Sequence, residues 1–313
     1  MRHVYRADAS GDIGAGHVMR ISAIAEESIF RRIESIFIGK IDNLKWVDER
    51  IKHIGFSSFI EKPDTFKCKE SDVLIVDSYK ISNQDKSLIE QNWSKVVNIF
   101  DKYTPEYQSD LKIHPGIRED WTSNSKTKIL AGLKYIPIRK SLTRNFKEFE
   151  SEPLKILISG GGSDANRFTS TIIELISLID HPFHAYVLTN HLKDAVDERF
   201  TQITLGSDFD GITSKVDLVF TLAGTSAFEF LAMGLPIAVG CSVENQKSNY
   251  DLLADKKMAL PIGFFDKSVW QFDYDLITKI IKSPKIRTSY RSNCIGTIDL
   301  FGAKRIVDAI CGL

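Results

Sequence analysis

Cysteine is scarce in this sequence, and the cysteines present form no motif. The four cysteines stand at positions 68, 241, 294 and 311, without a C-x-x-C pair. A dense disulfide framework and a thiolate zinc site both need closely spaced cysteines. We therefore expect neither of them, predict no metal site, and expect reduced thiols in a cytoplasmic protein.

An excess of one charge and a long apolar run are also missing. Lys+Arg and Asp+Glu both number 41 in 313 residues, so the formal net charge is zero. Nucleic-acid binding and electrostatic membrane attachment both depend on a basic excess. The longest strongly apolar run, at 231–241, is far shorter than the roughly 20 residues of a membrane span. We therefore expect no nucleic-acid partner. The length of 313 residues predicts two domains.

What the sequence does contain is a repeated pattern of short β-branched or aromatic runs, each followed by a turn and a helical stretch. These runs lie at 3–8, 33–40, 72–79, 95–101, 155–162, 184–190, 217–224 and 236–241. The alternation predicts βαβ units and two parallel sheets, with a polar linker at 143–152. Two such domains facing one another predict a ligand cleft beyond the carboxyl ends of the strands.

The turn after the first run carries three glycines and a histidine. It reads R-A-D-A-S-G-D-I-G-A-G-H-V-M-R at 6–20, which does not match the G-x-G-x-x-G dinucleotide fingerprint. Glycines let the backbone approach a ligand closely, and a helix start offers unpaired N–H groups. His17 alone could be a capping or packing residue, but with Arg20 one helical turn later we favour a functional role.

The turn at 159–167 reads S-G-G-G-S-D-A-N-R and follows a predicted strand. Such a loop can hold a phosphate with its amide groups, but the G-K-[ST] ending of a nucleotide-hydrolysing P-loop is absent. Ser163 and Asp164 look like helix-capping residues. A flexible turn without a ligand explains a triple glycine equally well.

The segment at 223–236 is the most informative, and it reads A-G-T-S-A-F-E-F-L-A-M-G-L-P. Its G-T-S triplet lies between a predicted strand and helix, where N–H and hydroxyl donors meet a positive helix end. Glu229 follows about one turn later, where a carboxylate can accept hydrogen bonds from a ribose diol. The polar triplet E-N-Q comes after the next strand, at 244–246. Each feature alone has a structural explanation, but together, in this order, they favour a functional site.

Together these motifs resemble the UDP-2,4-diacetamido-2,4,6-trideoxy-β-L-altropyranose hydrolases of bacterial pseudaminic acid biosynthesis. The resemblance covers nearly the whole chain, in order. That family is related to a spore-coat polysaccharide protein and, more distantly, to the N-acetylglucosaminyl transferase of peptidoglycan synthesis.

The resemblance implies an α/β protein of GT-B architecture, with two Rossmann-like doubly wound parallel-sheet domains facing a central cleft. The N-terminal domain would span 1–145 and the nucleotide-binding domain 153–299, while a last helix within 300–313 could cross back to the first domain. It also implies a reaction without metal or cofactor, in which water attacks the anomeric carbon of a UDP-sugar and UDP leaves.

The resemblance also implies the roles of individual residues. His17 would be the general base or water-orienting group, and Glu229 would hold the ribose. The pyrophosphate would lie against Gly161, Gly162, Gly224, Thr225 and Ser226. The rest of the substrate would contact Arg6, Asp8, Gly14, Gly16, Arg20, Asp77, Tyr79, Asn245 and Gln246.

Two departures from the family pattern lie on the sugar side. The chain has Ser78 where the family usually has histidine after the third strand, and Lys102 where it often has a second aspartate. An enzyme with this nucleotide site could therefore act on another sugar, or transfer the sugar to an alcohol as a glycosyltransferase of surface-polysaccharide assembly. Only the transferase would need membrane contact. A nucleotide-sugar-binding protein without turnover is the third alternative, against which His17 argues.

Overall fold

A computed structural model of the chain describes residues 1–11, 13–101, 107–116, 127–144, 151–162, 164–189, 197–204 and 209–313. The chain forms two compact units. The N-terminal unit contains Met1–Lys140 and Leu300–Leu313, and the C-terminal unit contains Ser141–Asp299. Among the described residues, no helix has the length and apolarity to cross a membrane.

The N-terminal unit is built on a parallel sheet with the strand order β3-β2-β1-β4-β5-β6-β7. Its strands are β1 (His3–Arg6), β2 (Ser35–Ile38), β3 (Ser58–Ile60), β4 (Val73–Asp77), β5 (Lys95–Ile99), β6 (Leu111–His114) and β7 (Lys128–Ala131). The central strands β1, β2 and β4 are buried along their whole length, because apolar clusters cover both faces of the sheet.

Four α-helices of this unit are described: α1 (Gly16–Phe30), α2 (Lys45–Ile54), α3 (Asn83–Ile89) and α10 (Gly302–Cys311). The last of them comes from the end of the chain and buries Ile306, Val307 and Ile310 in the same core as β1 and α1. Its first residue is a glycine because a Cβ atom there would stand 1.9 Å from the carbonyl oxygen of Ile136.

The C-terminal unit repeats this architecture with the strand order β10-β9-β8-β11-β12-β13-β14. Its strands are β8 (Leu154–Ser159), β9 (Phe183–Leu188), β10 (Phe200–Ile203), β11 (Leu218–Leu222), β12 (Ile237–Cys241), β13 (Leu260–Asp266) and β14 (Val269–Phe272). All neighbours pair in parallel except β13 and β14, which form an antiparallel hairpin at one edge.

The described helices of this unit are α4 (Phe168–Ser177), α5 (Phe209–Thr213), α6 (Thr225–Ala232), α7 (Glu244–Asp255), α8 (Tyr274–Lys282) and α9 (Pro284–Cys294). Helices α4 and α8 pack on the sheet through isoleucines that repeat at helical spacing. The turns that carry the glycine motifs therefore follow β8 and β11 at one edge of this sheet, since parallel strands end on the same side.

The eight strands predicted from the sequence are all present, each shorter than its predicted run, and β8 and β9 begin one residue earlier than predicted. Strands β3, β7, β10 and β14 were not predicted, because their residues alternate between buried and exposed or are mostly polar. Such half-exposed strands lack the continuous apolar run that marks a central parallel strand. Strands β6 and β13 were not predicted either. Within the linker predicted at 143–152, residues 145–150 lie outside the described part of the chain.

Candidate active site

The carboxyl edge of the N-terminal sheet brings together polar residues that are far apart in sequence. His17 lies in the first turn of α1, Asp77 is the last residue of β4, and Asp101 follows β5. Strands β1, β4 and β5 are adjacent and parallel, so the segments that follow them meet at one edge.

His17 and Asp77 form a buried pair at the centre of this edge. The Nδ1 atom of His17 lies 2.6 Å from Oδ1 of Asp77, and the two residues are only 5% and 0% exposed. Because an ionised carboxylate only accepts hydrogen bonds, Nδ1 carries the hydrogen and donates it. The lone pair of a neutral imidazole is then on Nε2, which is buried without a hydrogen-bond partner among the described residues.

Arg20 supports Asp77 from the next turn of α1. Its Nε atom donates to Oδ2 of Asp77 and a terminal nitrogen donates to Oδ1, both at 2.6 Å, while its other terminal nitrogen donates to Asp101. Burial alone would raise the pKa of Asp77. The charges and hydrogen bonds of Arg20 and His17 outweigh this effect, so the pKa lies below its usual range. Asp77 is therefore ionised at neutral pH, as the pairing with Nδ1–H requires.

Tyr79 covers this pair from the outer side. Its ring meets the imidazole of His17 edge-on, with centroids 4.2 Å apart, and its hydroxyl donates to Asp101 over 3.1 Å. Burial and the neighbouring Asp101 carboxylate raise the pKa of Tyr79, so the phenol stays protonated. Ser78 takes no part, because its hydroxyl donates to the carbonyl oxygen of Lys80.

Arg6 and Asp8, also predicted to contact substrate, are paired with each other. Two terminal nitrogens of Arg6 donate to the two oxygens of Asp8, and its Nε donates to Asp85, each over 2.6 Å. Asp8 also accepts from the backbone N–H of Lys40. The Arg6 guanidinium is thus occupied within the protein, whereas the Asp8 side chain remains 30% exposed.

The glycine turn before α1 is closed by local hydrogen bonds. The N–H of Gly14 donates to the carbonyl oxygen of Ser10 over 2.7 Å, and Gly14 has a φ of 79°, which favours glycine. Gly16 begins α1, whose start has neither a side-chain cap nor an acidic residue in its first turn. The first N–H groups of the helix, next to His17, are thus left for a ligand or water.

In the C-terminal unit, the turn after β8 is shaped by Asp164. Its Oδ1 atom accepts from the N–H of Thr169 over 3.0 Å and from the hydroxyl of Thr169 over 2.7 Å. A Cβ atom on Gly160 would stand 1.9 Å from this oxygen, so a larger residue there would displace the Asp164 carboxylate. Gly161 has a φ of 76° with open space around it, and Gly162 follows half-buried. Ser163, predicted as a capping residue, lies outside the described residues.

The segment predicted to hold pyrophosphate and ribose forms the start of α6. Gly224 precedes the helix without a side-chain cap, Thr225 and Ser226 are half-buried in its first turn, and Glu229 lies one turn further, 7% exposed. The arrangement leaves backbone N–H groups of the first turn without side-chain acceptors.

The predicted sugar-facing pair at the start of α7 separates into two environments. Asn245 is exposed, whereas the side-chain oxygen of Gln246 accepts from the N–H of Ser242 over 2.9 Å. Asn166, which sequence reasoning missed, donates to the carbonyl and hydroxyl oxygens of the same Ser242. Gln246 and Asn166 thus fix the loops after β12 and β8.

Of the residues predicted for the site, the structure brings His17, Arg20, Asp77 and Tyr79 into direct contact. Asp77 and Arg20 are hydrogen-bonded to each other and to neighbouring side chains, and their contact with a substrate stays a prediction. Asp101 is absent from the residues predicted for the site, although its position at the end of the predicted strand 95–101 was a usable signal. Among the described residues, no three or more histidines, cysteines and carboxylates gather as a metal-binding group.

Comparison with known proteins places the chain by fold. No protein-family model matches it. The chain is 27% identical over 273 residues to an uncharacterized protein of Methanocaldococcus jannaschii, covering 78% of this chain and 56% of that protein. It therefore spans little more than half of that relative. It is 22% identical over 284 residues to the spore coat polysaccharide biosynthesis protein SpsG of Bacillus subtilis, with 82% of each chain covered.

Solved structures agree with the expected fold class. MurG of Acinetobacter baumannii superposes over the whole of both chains with a TM-score of 0.67 at 12% identity. The glycosyltransferase of kitacinnamycin has a TM-score of 0.63 at 11% identity, over 98% of both chains. The GT-B fold is confirmed, and SpsG supports the broader relationship proposed from the motifs.

Proposed function

We propose that this protein is an enzyme that cleaves a UDP-sugar at its anomeric carbon, with water as the acceptor. The observation that carries this proposal is the buried His17–Asp77 pair, whose imidazole presents an unpartnered Nε2. A general base must be held in one tautomer and must have a free lone pair, and this pair meets both conditions.

His17 would act on the water that attacks the sugar. A proton moves from water to Nε2, the water oxygen bonds to the anomeric carbon, and the bond from that carbon to the pyrophosphate oxygen breaks. The bonding electrons leave with UDP. Asp77 stabilises the imidazolium that forms, and Arg20 keeps Asp77 in place and ionised.

The nucleotide would be held by the C-terminal unit. The open backbone of Gly161 and the uncapped start of α6 at Gly224 and Thr225 suit the charge of a pyrophosphate, which grows as UDP leaves. Glu229 would accept hydrogen bonds from the ribose. The resemblance to the altropyranose hydrolases supports these roles, and the diacetamido-trideoxy sugar is the first substrate that it suggests.

A glycosyltransferase is the second candidate, because the same base could deprotonate an alcohol in place of water. The residues expected near the sugar support this second candidate. Ser78 replaces the histidine usual in the hydrolases, and its hydroxyl donates to the carbonyl oxygen of Lys80. A change at this position is compatible with a different sugar or acceptor.

The test is to incubate the protein with a panel of UDP-sugars, including the diacetamido-trideoxy altrose compound, without acceptor, and to follow UDP and free sugar by NMR. We expect release of UDP with a free reducing sugar, and its loss in His17→Ala. UDP affinity, measured by calorimetry, should survive this change. The matched control is His53→Ala, an exposed histidine on α2.

The outcomes separate the candidates. UDP binding with negligible release from every sugar would favour the transferase, and release only after adding an alcohol would establish it. A protein that binds UDP-sugars and turns over none of them with any acceptor would be a binding protein. Equal loss of UDP binding in His17→Ala would show that His17 is structural.

A further inference from the structure

The carboxylates around His17 outnumber the cations that hold them. Arg6 is shared by Asp8 and Asp85, and Arg20 is shared by Asp77 and Asp101. Among the described residues, these two arginines are the only lysine or arginine side chains that pair with these four carboxylates. The guanidinium groups therefore balance half of the negative charge, and a neutral His17 leaves an excess of two.

Two of these four carboxylates are more exposed to solvent than the arginines that hold them. The Arg6 and Arg20 side chains are 6% and 8% exposed, while those of their outer partners Asp8 and Asp101 are 30% and 35% exposed. Of these charged side chains, the carboxylates of Asp8 and Asp101 are therefore the ones most accessible to a ligand.

The unpartnered Nε2 of His17 marks the same place as a ligand site. This atom is buried and points away from Asp77, because Nδ1 on the other side of the ring holds that carboxylate. The Asp8 carboxylate and the imidazole are near enough to interact electrostatically. Hydrogen bonds through Asp77 and Arg20 also connect the imidazole to Asp101, so the orphaned nitrogen and the exposed carboxylates belong to one side-chain cluster.

We propose that the sugar acted on at His17 carries a free, protonated amino group, and that the site rejects sugars bearing a carboxylate. This inference rests on the proposed function. One excess charge is neutralised when His17 takes up a proton, and an ammonium group next to Asp8 or Asp101 neutralises the other. A charge-assisted hydrogen bond between ammonium and carboxylate is about twice as strong as a neutral one.

The test compares UDP-sugars that differ in one group. The full-length protein is titrated by calorimetry with UDP, the UDP-linked diacetamido-trideoxy sugar, the same compound with either acetyl group removed, and UDP-glucuronate, at a pH where the amine is protonated. We expect one of the amino compounds to bind at least about tenfold more tightly than its acetylated parent, and UDP-glucuronate to bind more weakly than UDP.

Variants test the assignment to these carboxylates. Asp101→Asn or Asp8→Asn should remove most of the preference for the amine and leave UDP affinity unchanged. Asp48→Asn, which removes an exposed carboxylate from α2, should keep the preference. Using two site variants protects the test against the failure of one of them to fold, since each carboxylate also holds an arginine.

Two results would overturn the inference. Equal or tighter binding of the diacetamido compound would show that a neutral sugar is preferred, and tight binding of UDP-glucuronate would show that the wall does not repel carboxylates. In both cases a UDP-sugar still binds, so neither result contradicts the proposed cleavage, which the UDP-release assay tests separately. Absence of binding by UDP itself would instead refute the proposed function.

Discussion

At the scale of residues, the candidate site depends on Asp77 more than on any exposed group. One carboxylate accepts hydrogen bonds from His17 through Oδ1 and from Arg20 through both oxygens. It sets the tautomer of the imidazole and the position of the guanidinium at once. A change at this residue therefore alters the chemistry of the base without touching the substrate.

Asp77→Asn should abolish most of the turnover. Asparagine can donate through its nitrogen, which would favour the opposite tautomer and leave Nε2 protonated. By analogy with buried aspartates behind catalytic histidines, we expect kcat for UDP release to fall by about 10³-fold or more. UDP affinity should remain within about threefold of the wild type, and Asp48→Asn serves as the control. A fall in kcat of less than about threefold would show that Asp77 does not position His17.

A second buried histidine, His3, makes stability depend on pH. Burial, with help from the N-terminal ammonium and Arg31, lowers the pKa of His3 to about 4. The unfolded chain, with a histidine pKa of about 6.5, therefore binds a proton that the folded chain does not between these values. His3 therefore lowers the free energy of unfolding as the pH falls from about 6.5 towards 4. Above about pH 6.5 it has no such effect.

We expect His3 to remove about 2 kcal/mol of unfolding free energy between pH 7 and pH 5. Urea unfolding at both pH values would measure this, and His3→Gln should reduce the pH-dependent difference by about that amount, whatever its effect at pH 7. His53→Gln, an exposed histidine, should leave the difference unchanged. An equal loss in the wild type and His3→Gln would assign the effect to other groups.

At the scale of elements, the last helix packs on the N-terminal unit through core and polar contacts that also need one close backbone approach. Helix α10 packs Ile306, Val307 and Ile310 into the core around α1. Arg31 near the end of α1 pairs with Asp308 and donates to the carbonyl oxygen of Lys304. These contacts require the helix to lie close to Ile136, and Gly302 allows that approach.

Gly302→Ala should destabilise the protein, because the added Cβ atom would stand 1.9 Å from the carbonyl oxygen of Ile136. Overpacking of this kind costs about 1–3 kcal/mol. Gly312→Ala at the other end of α10 is the control, since its Cβ atom would meet nothing nearer than 3.4 Å. The measurement is the denaturation midpoint. Equal midpoints for the two variants would mean that α10 shifts at no cost.

At the scale of the whole molecule, each unit carries its polar motifs at the carboxyl edge of its own sheet. The N-terminal unit holds His17 and its carboxylates, and the C-terminal unit holds the glycine turns after β8 and β11. The proposed division of roles therefore assigns the base to one unit and the nucleotide to the other.

UDP alone should protect the C-terminal unit from hydrogen exchange. We expect slower exchange at 159–162 and 224–229, since bound phosphate and ribose would occupy those amides and stabilise the unit that binds them. Amides of the N-terminal core, such as those of β4, are the internal control and should change little. Protection confined to the turn at 14–20 would place the nucleotide in the other unit and refute the assignment.

Much of the fold was predictable because central parallel strands are apolar on both faces. The run 73–76 and its counterparts are buried on both faces of the sheet. Burial on both faces requires several consecutive apolar residues, which can be recognised in the sequence. Edge strands such as β14 face solvent on one side, so their mixed residues resemble those of a loop. The motifs at strand ends were found for the same local reason, since the turns that follow β1 and β8 contain glycines with positive φ, at Gly14 and Gly161.

The sequence by itself determined the two parallel α/β units and the segments in which His17, Glu229 and the glycine turns lie. Tertiary structure alone decided which polar groups meet: Asp77 reaches His17 across 60 positions, and Asp101 reaches Arg20 across 81. It also turned Gln246 towards the backbone of Ser242. Local patterns record burial and turns, whereas hydrogen-bond partners depend on strand order and register, which join residues that no local pattern connects.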